Sequence, residues 1–244
     1  MKLLVLMGGT RILDNSNKYP LYLTELKGKL ILEIVLERYL TSDINEKIFC
    51  IKQEEISSFN IDSIILNLIP DAKLVTIKGQ TQGAVCTALL ASEYIDNDEE
   101  LLIVSIDDYI DIEIDKVIGN YRKNDTDCGI VCFSSVHPRY SFAKMDSDNA
   151  VCEITEKKPV SKNALASFYY FKKGTDFVIC AKNVIRKGNR INKIFYISQA
   201  INEMILLAKK ITVYKIQNEH FHSFKTEQQL AAYITSYKAS KEDV

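Results

Sequence analysis

GQTQGAVCTALLASEYIDNDEELLIVSIDDYID, residues 79–111, contains the kinds of segment from which most of the chain is built. A glycine-bounded polar turn leads into a helical pattern, and an apolar strand pattern follows at 101–107 and ends in acidic residues. Strand and helix patterns alternate in the same way on both sides of this stretch. Such alternation predicts a mainly parallel sheet with helices on both faces, in which polar strand ends meet at one edge.

The order of strand and helix patterns changes near residue 128. Before it, strand patterns at 2–7, 47–52, 73–78 and 101–107 alternate with helical patterns at 29–40, 61–69, 79–95 and 113–123. After it come four strand-like stretches, DCGIVCFSS, YSFAKMD, AVCEITEK and SFYYFK, then helical patterns at 176–185, 197–210 and 227–239 and a strand pattern at 211–216. We expect an antiparallel addition to the sheet within one continuous domain.

The composition is that of an ordinary globular protein. Of 244 residues, 47% are hydrophobic and 26% are charged, and the formal net charge is −1. A chain so near neutrality has no electrostatic preference for nucleic acid or for an anionic membrane. No apolar run reaches transmembrane length, and the first apolar run is too short for a signal sequence, so we expect a cytoplasmic protein without nucleic-acid or membrane partners.

The cysteines indicate reduced thiols. They are scattered and form no CxxC pair: Cys50, Cys86, Cys128, Cys132, Cys152 and Cys180. Because Cys128 and Cys132 are evenly spaced in a strand pattern, they lie on one face, and core packing is the favoured interpretation. Reduced cysteines fit the cytoplasmic compartment.

The loop after the first strand pattern is rich in glycine. LMGGTRILDNSNKYPLYL, residues 6–23, offers backbone N–H groups at Gly8, Gly9 and Thr10, and the cationic Arg11 follows. Glycines allow the backbone to approach a phosphate closely. The stretch matches neither GxGxxG nor the P-loop pattern. It is compatible with a phosphate-binding loop and with a simple turn.

A second loop, GQTQGA at 79–84, opens a helical pattern. The N-terminus of a helix has free N–H donors. Gln80 and Thr81 could read the edge of a nucleobase, and Gly83 would let a flat ring lie against the backbone. A capped helix start is the alternative interpretation of the same residues.

A third loop follows the apolar strand pattern at 101–107. That strand delivers Asp107 and Asp108 to the carboxyl edge of the sheet. A buried carboxylate there needs a cation, and Mg²⁺ is bound by carboxylates together with substrate phosphates. Asp107 is therefore the candidate metal ligand, whereas Asp108, Asp111 and Asp115 are interpreted as solvated or capping acids.

Two further features carry potential chemistry. Glu156 and Lys157 lie at the end of a strand pattern in EITEKKP, and they could accept ligand hydroxyls and pair with a phosphate, or form a solvated turn. The histidines, His137, His220 and His222, include an HxH pair, but no third ligand can be identified, so structural roles are favoured. No GxSxG elbow or electropositive cysteine suggests nucleophilic catalysis.

Taken together, these stretches resemble a known enzyme family. The glycine loop with Arg11, the helix start at Thr81 and Gly83, the strand ending in Asp107 and the Glu156–Lys157 pair are similar to those of sugar-phosphate nucleotidylyltransferases. Residues 79–111, FSSVHPRYSFAKMDSDNAVCEITEKKPVSKNALASFYYFKKGTDFV and FYISQAINEMI resemble the branch found in capsular polysaccharide gene clusters. The resemblance covers about residues 2–230.

The resemblance implies a fold and a division of roles. The family fold is a three-layer α/β/α, glycosyltransferase-A-like (Rossmann-like) mixed sheet, here with a nucleotide-binding half at 1–127, an acceptor-binding half at 128–226 and a C-terminal helix at 227–244. The implied roles are nucleotide binding by Met7, Gly8, Gly9, Thr10, Gln80, Thr81 and Gly83, catalysis by Arg11, Lys18 and Lys157, acceptor binding by Glu156 and Lys157, and Mg²⁺ binding by Asp107.

The sequence departs from the family pattern in two places. The usual glycine loop is about two residues longer and is followed by Pro-Lys, whereas Leu21 follows Pro20 here, and Lys18 is the candidate replacement. Many relatives have a second metal-binding Asp before Gly-Thr, and the comparable stretch HFHSFKTEQQL, at 220–230, has none. Glu219 or His222 could substitute, or one carboxylate could suffice.

The resemblance implies an Mg²⁺-dependent nucleotidyltransferase for capsule or other surface polysaccharides. Its partners would be a nucleoside triphosphate and a small phosphorylated acceptor, either a sugar 1-phosphate or, with cytidine triphosphate in a cytidylyltransferase, a non-sugar phosphate. A homo-oligomer is a further expectation. The alternatives are a glycosyltransferase with the same fold type, which releases a nucleoside diphosphate, and a non-catalytic nucleotide-binding module. The sequence identifies neither the base nor the acceptor.

Overall fold

A mixed β-sheet lies at the centre of the computed structural model, which describes residues 1–9, 19–41 and 43–242 (side chains to 237). The strands are β1 (Lys2–Leu6), β2 (Glu25–Leu26), β3 (Lys29–Leu30), β4 (Glu46–Lys52), β5 (Lys73–Ile77), β6 (Leu101–Ser105), β7 (Asp108–Ile110), β8 (Cys128–Ser134), β9 (Ser141–Met145), β10 (Val151–Glu156), β11 (Asn163–Phe171), β12 (Ile211–Lys215) and β13 (Phe221–Ser223). The helices are α1 (Ile31–Glu37), α2 (Gln53–Phe59), α3 (Ile61–Leu68), α4 (Ala84–Leu89), α5 (Ser92–Ile95), α6 (Ile114–Lys123), α7 (Gly174–Arg186), α8 (Ile197–Leu206) and α9 (Glu227–Glu242).

The first half of the chain forms the parallel part of the sheet. β1 lies between β4 and β6 and is parallel to both, with Leu6 beside Cys50 on one strand and Ser105 on the other. β5 continues this part beyond β4. The predicted parallel sheet is therefore confirmed, and the carboxyl ends of β1 and β6 lie side by side.

The second half adds antiparallel strands, as the run of consecutive strand patterns after residue 128 predicts. β11 runs antiparallel to β6 on one side and to β8 on the other. β9 and β10 form an antiparallel extension that joins β11 at Ala164. β12 returns parallel to β8. The sheet is thus mixed and continuous from the first half into the second.

Alternating residues of the strands bury two separate faces of the sheet. Leu3 and Val5 of β1 face the core covered by α1, α3, α6 and α9, whereas Leu4 and Leu6 face the core covered by α4, α5, α7 and α8. The period of two in a strand produces this division. The fold is therefore the predicted three-layer α/β/α arrangement. Cys128 and Cys132 are both buried in the second core, which confirms their core role.

A short antiparallel pair of strands connects the C-terminal segment to the residues that follow β6. In this pair of β7 and β13, Ser223 lies opposite Asp108 and His222 opposite Tyr109. The Phe224 N–H also donates to the Asp107 carbonyl oxygen over 2.6 Å. Residues far apart in sequence thus meet at this edge. Within the described ranges, no helix combines the length and apolar character needed to cross a membrane.

Several element boundaries differ from the predicted ones. The helix predicted at 29–40 begins at Ile31 because Lys29 and Leu30 pair with β2 in a small hairpin. The helix predicted within 79–95 is divided into α4 and α5 at Ala91, whose backbone leaves the helical region. Helix α2 follows β4 directly and was not predicted, since its polar sequence QEEISSF lacks a clear apolar stripe.

Candidate active site

A cavity of about 610 Å³ opens beyond the carboxyl ends of β1 and β6. Both halves of the sheet contribute to its walls, and its volume suits a small organic ligand. Most of the predicted site residues that the structure describes line it, namely Gly8, Gly9, Thr81, Gly83, Asp107, Glu156 and Lys157. The fold therefore brings three separate loops and the end of β10 to one place.

Gly8 and Gly9 of the glycine loop line one wall of the cavity. At Gly8, a Cβ atom would lie 3.2 Å from Ile77 and Thr87 atoms, whereas at Gly9 it would meet no atom of the described residues within 4 Å. No described side chain therefore blocks the Gly9 backbone from the cavity that it lines. Met7 is 0% exposed and belongs to the hydrophobic core, so its side chain does not reach the cavity.

Three of the predicted residues of this loop, Thr10, Arg11 and Lys18, lie outside the described residues. Leu21, by contrast, is described and is only 4% exposed, with its side chain in the hydrophobic core. A lysine at this position would have to bury its charge, which is costly without a partner. The position after Pro20 therefore has a packing role in this chain.

The second loop is held by hydrogen bonds around the start of α4. The Thr81 and Thr87 hydroxyl oxygens are 2.7 Å apart, and the Thr87 hydroxyl also donates to the Gly83 carbonyl oxygen over 3.3 Å. Gly83 has a φ of +119°, in the region that favours glycine. The backbone of Phe195 packs against Gly83 so closely that any side chain at this position would collide with it. Gln80 is exposed and does not line the cavity.

Asp107 is the carboxylate that faces the cavity from the end of β6. Its backbone N–H donates to the Ser105 hydroxyl over 3.3 Å, which stabilises the turn. Burial raises the pKa of the Asp107 carboxyl to about 7; Lys225 opposes this rise, and Asp108 adds to it. A cation bound at Asp107 would favour the ionised form.

Asp108 is not the solvated acid that the sequence suggests. Its side chain is 1% exposed, and its Oδ2 atom lies 2.8 Å from the Lys225 ammonium. The strand pair of β7 and β13 places the two residues together although 117 positions separate them. Asp111 forms an ion pair with Arg38, and Asp115 lies exposed in the first turn of α6. Lys225 is one of the cavity residues that the sequence did not reveal.

Glu156 forms the far wall of the cavity. Its Oε2 atom accepts hydrogen bonds from the Ser141 and Ser198 hydroxyls, the latter over 2.9 Å. Burial raises the pKa of the Glu156 carboxyl even though both serines and the nearby Lys157 favour its ionised form. The two serines fix the carboxylate in one orientation. They come from β9 and α8, so only the folded structure shows the arrangement.

Lys157 follows Glu156 in a strained backbone conformation. Its φ is +57°, and its backbone N–H donates to the Tyr140 carbonyl oxygen over 3.0 Å. The ammonium lies 5.4 Å from the centre of the Tyr196 ring. A non-glycine residue held in this region indicates a position fixed by its surroundings, which is common at functional sites.

The residues suggested as substitutes for a second metal carboxylate do not reach the cavity. Glu219 lies exposed next to His220, and His222 stacks against Tyr109 on the other side of β13. Among the described residues, no three His, Cys, Asp or Glu side chains form a metal-binding cluster. Asp107 alone of the Asp107–Asp108 pair is available, because Lys225 already neutralises Asp108.

The comparison with known proteins agrees with the fold and with the family resemblance. The nucleotidyl transferase family model matches residues 2–216. Comparison with curated proteins gave no match.

Solved structures resemble the chain over nearly its full length. A nucleoside-diphosphate-sugar pyrophosphorylase from Vibrio cholerae is 15% identical, covering 95% of this chain and 99% of that one, with a TM-score of 0.78. UDP-glucose pyrophosphorylase in complex with UDP-glucose is 14% identical, covering 99% and 100%, with a TM-score of 0.76. HddC from Yersinia pseudotuberculosis is 17% identical, covering 97% and 100%, with a TM-score of 0.65.

At these identities, the similarity to solved structures shows a shared fold. The family model adds the sequence evidence, because it spans well over half of the chain. The protein therefore belongs to the nucleotidyl transferase family and is a nucleotidyltransferase.

Proposed function

We propose that the protein is an Mg²⁺-dependent nucleotidyltransferase that couples a nucleoside triphosphate to a small phosphorylated acceptor. The observation that carries the proposal is the single cavity that joins the glycine loop, Asp107 and the Glu156–Lys157 pair. One end offers backbone groups suited to phosphates, and the other offers a fixed carboxylate and an ammonium. Such a cavity suits two phosphorylated substrates bound end to end.

The proposed reaction is a displacement at phosphorus. An oxygen of the acceptor phosphate forms a bond to the α-phosphorus of the nucleotide, and the bond from that phosphorus to the bridging oxygen of the β-phosphate breaks. Pyrophosphate leaves with the electron pair of the broken bond. The acceptor phosphate needs no general base because it is already ionised at neutral pH. The protein therefore contributes chiefly alignment and charge neutralisation.

The residues of the far wall are suited to the acceptor. The Glu156 carboxylate, held by Ser141 and Ser198, can accept hydrogen bonds from hydroxyl or ammonium groups. The Lys157 ammonium can pair with the acceptor phosphate as a point charge. Gly83 and Thr81, at the start of α4, are assigned to the nucleobase, and Gly8 and Gly9 to the triphosphate. Met7 and Gln80 belong to the same prediction, although their side chains lie away from the cavity.

Asp107 is the residue that would hold Mg²⁺. The site fits this ion, since Mg²⁺ is commonly bound by one or two carboxylates with the remaining positions filled by substrate phosphates and water. When bound, the ion would neutralise phosphate charge next to the reacting phosphorus. Burial makes ionised Asp107 costly without a cation, which supports this assignment.

The predicted roles of Thr10, Arg11 and Lys18 in phosphate binding remain part of the proposal. Leu21 lies in the core, so the charge that relatives place after the proline must come from elsewhere, and Arg11 and Lys18 are the candidates. Unchanged turnover of a Lys18→Ala variant would show that Lys18 has no such role.

The acceptor is a sugar 1-phosphate or, with cytidine triphosphate, a non-sugar phosphate. Two of the structurally similar proteins act on nucleotide sugars by their names, which supports the sugar acceptor. The sequence resemblance to the capsular branch supports a role in surface polysaccharide assembly. A cytoplasmic location and a homo-oligomer belong to the same proposal.

The test is a screen for pyrophosphate release. The four nucleoside triphosphates are combined with Mg²⁺ and a panel of sugar 1-phosphates, phosphocholine and other small phosphorylated compounds. The proposal predicts release with one matched pair only in the presence of both substrates. Nucleoside diphosphate release from a nucleotide sugar would indicate a glycosyltransferase instead. Thermal stabilisation by a nucleotide without turnover would indicate a binding module.

A further inference from the structure

Lys225 places a positive charge in the wall of the cavity. Its side chain is 48% exposed and lines the cavity together with Asp107 and Lys157. The ammonium has three N–H donors, and the Asp108 Oδ2 atom accepts one of them over 2.8 Å. The ammonium can therefore offer further donors to a ligand.

The partner of Lys225 is buried and depends on it. Asp108 is 1% exposed, and within the described part of the chain its Oδ1 atom has no hydrogen-bond partner. An ionised carboxylate in this position is costly unless a cation neutralises it. The buried Asp108 carboxylate thus holds the Lys225 ammonium in place. The part of Lys225 that Asp108 does not contact is exposed to the cavity.

The backbone around Lys225 restricts where the ammonium can lie. Ser223 pairs with Asp108 across the two short strands, and the Phe224 N–H donates to the Asp107 carbonyl oxygen. Ser223 itself is buried, lines the cavity and has a hydroxyl without a partner among the described residues. An unsatisfied buried hydroxyl at the same wall is a second indication of a polar ligand.

Lys225 lies between the two ends of the cavity. It lines the cavity together with Asp107, at the end assigned to the nucleotide, and Glu156, at the end assigned to the acceptor. Its positive charge also lowers the pKa of both carboxyls. The Lys225 charge also lowers the pKa of Tyr140. The carbonyl oxygen of Tyr140 accepts a hydrogen bond from the Lys157 N–H. The ammonium is therefore close to the place where the phosphates of two bound substrates would meet.

We propose that the Lys225 ammonium binds phosphate oxygens of the nucleoside triphosphate at the junction with the acceptor, and that Asp108 is its positioning residue. This inference rests on the proposed function, since it assigns a role within the same cavity. The Ser223 hydroxyl is a further donor to the same phosphate group. The role of Asp108 is indirect because its carboxylate touches Lys225 and not the ligand.

The test uses paired substitutions that keep the local charge balance. A Lys225→Met, Asp108→Asn double variant replaces the ion pair by two neutral side chains of similar size, so it leaves no uncompensated buried charge. A Lys225→Arg variant retains a cation at the same position. The two measurements are the affinity for inorganic tripolyphosphate in EDTA, by calorimetry, and kcat for pyrophosphate release with the matched substrates.

A similar ion pair outside the cavity gives the control. Lys187 and Glu203 have side-chain exposures of 52% and 5%, and their charged atoms lie 2.7 Å apart. Neither residue lines the cavity. A Lys187→Met, Glu203→Gln double variant makes the same change of chemistry, and we expect its tripolyphosphate affinity and kcat to equal those of the wild type. Thermal unfolding shows whether each variant is folded.

The tripolyphosphate affinity decides the inference. We expect the Lys225→Met, Asp108→Asn variant to bind at least about tenfold more weakly than the control, since hydrogen bonds to charged groups contribute this much. We expect its kcat to fall about 10²-fold and Lys225→Arg to recover part of both losses. An affinity loss below tenfold overturns the inference. If the wild type binds tripolyphosphate but releases no pyrophosphate with any substrate pair, the proposed function fails and the affinity comparison still decides the role of Lys225.

Discussion

The Gly83 α-carbon lies so close to the Phe195 carbonyl oxygen that a Cβ atom on Gly83 would be 2.5 Å from that oxygen. The Phe195 N–H also donates to the Gln82 carbonyl oxygen over 2.8 Å. The two loops are therefore packed backbone against backbone. Residues on either side of this contact, Thr81 and Tyr196, line the cavity, so the contact joins two segments of the cavity wall.

A Gly83→Ala substitution should destabilise the protein and impair the cavity. The new methyl group meets backbone atoms that cannot rotate away, and the φ of +119° is one that alanine rarely adopts. We expect a loss of about 1–3 kcal/mol in the free energy of unfolding, measured by denaturant titration, and weaker nucleotide binding.

Gly119→Ala provides the matched control for this change. Gly119 lies inside α6, and a Cβ atom there would meet no described atom within 4 Å. Alanine is the better helix former, so this variant should be more stable by up to about 1 kcal/mol. Equal stability of Gly83→Ala and the wild type would show that the packing of Gly83 against Phe195 is not as described.

A Glu156→Gln substitution should change the pH dependence of stability. Burial raises the pKa of Glu156 above its ordinary value of 4.5 in the folded protein. The folded state therefore holds this proton more tightly than the unfolded state, so the stabilisation is full below pH 4.5 and is lost as pH rises through the folded-state pKa. Glutamine does not titrate, so the variant should gain stability relative to the wild type as pH rises to 8.

The same variant tests the acceptor assignment of Glu156. Glutamine keeps one oxygen acceptor but loses the negative charge, and we expect the KM for the acceptor to rise by about tenfold or more. The KM for the nucleotide should change much less. Denaturation midpoints between pH 4 and 8 and steady-state kinetics check the two parts separately. A larger effect on the nucleotide KM would contradict the assignment.

Replacing Lys157 by glycine separates backbone strain from side-chain function. The φ of +57° costs a non-glycine residue about 1–2 kcal/mol, and glycine adds a smaller entropic cost of about 0.5–1 kcal/mol. We therefore expect Lys157→Gly to be slightly more stable than the wild type but to lose at least about tenfold in kcat/KM for the acceptor.

Lys193→Gly is the control for Lys157. Its φ is +66°, it is exposed, and it does not line the cavity. Glycine should give a similar gain in stability there and leave turnover unchanged. If both variants retain turnover, the Lys157 side chain does not act on the acceptor phosphate.

An Asp107→Asn substitution should abolish turnover while the fold is kept. Asparagine has the same shape but lacks the charge that Mg²⁺ requires, so we expect a loss of at least about 10²-fold in kcat and of the dependence on Mg²⁺ concentration. Asp111→Asn is the control in the same segment, since Asp111 forms a partly exposed ion pair with Arg38 away from the cavity. That change should cost at most about 1 kcal/mol in stability and leave kcat unchanged.

The sequence predicts the layers of the fold because strand and helix periods are local. The apolar patterns at 2–7 and 101–107 predict buried strands, which the structure shows as β1 and β6. The even spacing of Cys128 and Cys132 predicts one shared face, which the structure confirms. The change to antiparallel strands near residue 128 was also visible, because four short strand patterns follow one another without intervening helices.

The residues of the candidate site were predictable only where they end or follow a strand or open a helix. Asp107, Glu156 and Gly83 hold such positions, whereas Lys225 reaches the cavity through the pairing of two three-residue strands. Strands of three residues are too short to show an alternation of apolar and polar residues in the sequence. One signal was available: Asp108 lies in an otherwise apolar run, and a buried carboxylate requires a cation from elsewhere in the chain.

The most direct test of the proposed function follows the phosphorus atoms. The matched nucleoside triphosphate is supplied with label on either the α- or the γ-phosphate, and the products are separated after reaction with the acceptor and Mg²⁺. The account predicts that the α-label appears in the nucleotide-linked acceptor and the γ-label in pyrophosphate, and that Asp107→Asn forms neither product. Transfer of the γ-label to the acceptor, or no transfer from any nucleotide to any acceptor, would contradict it.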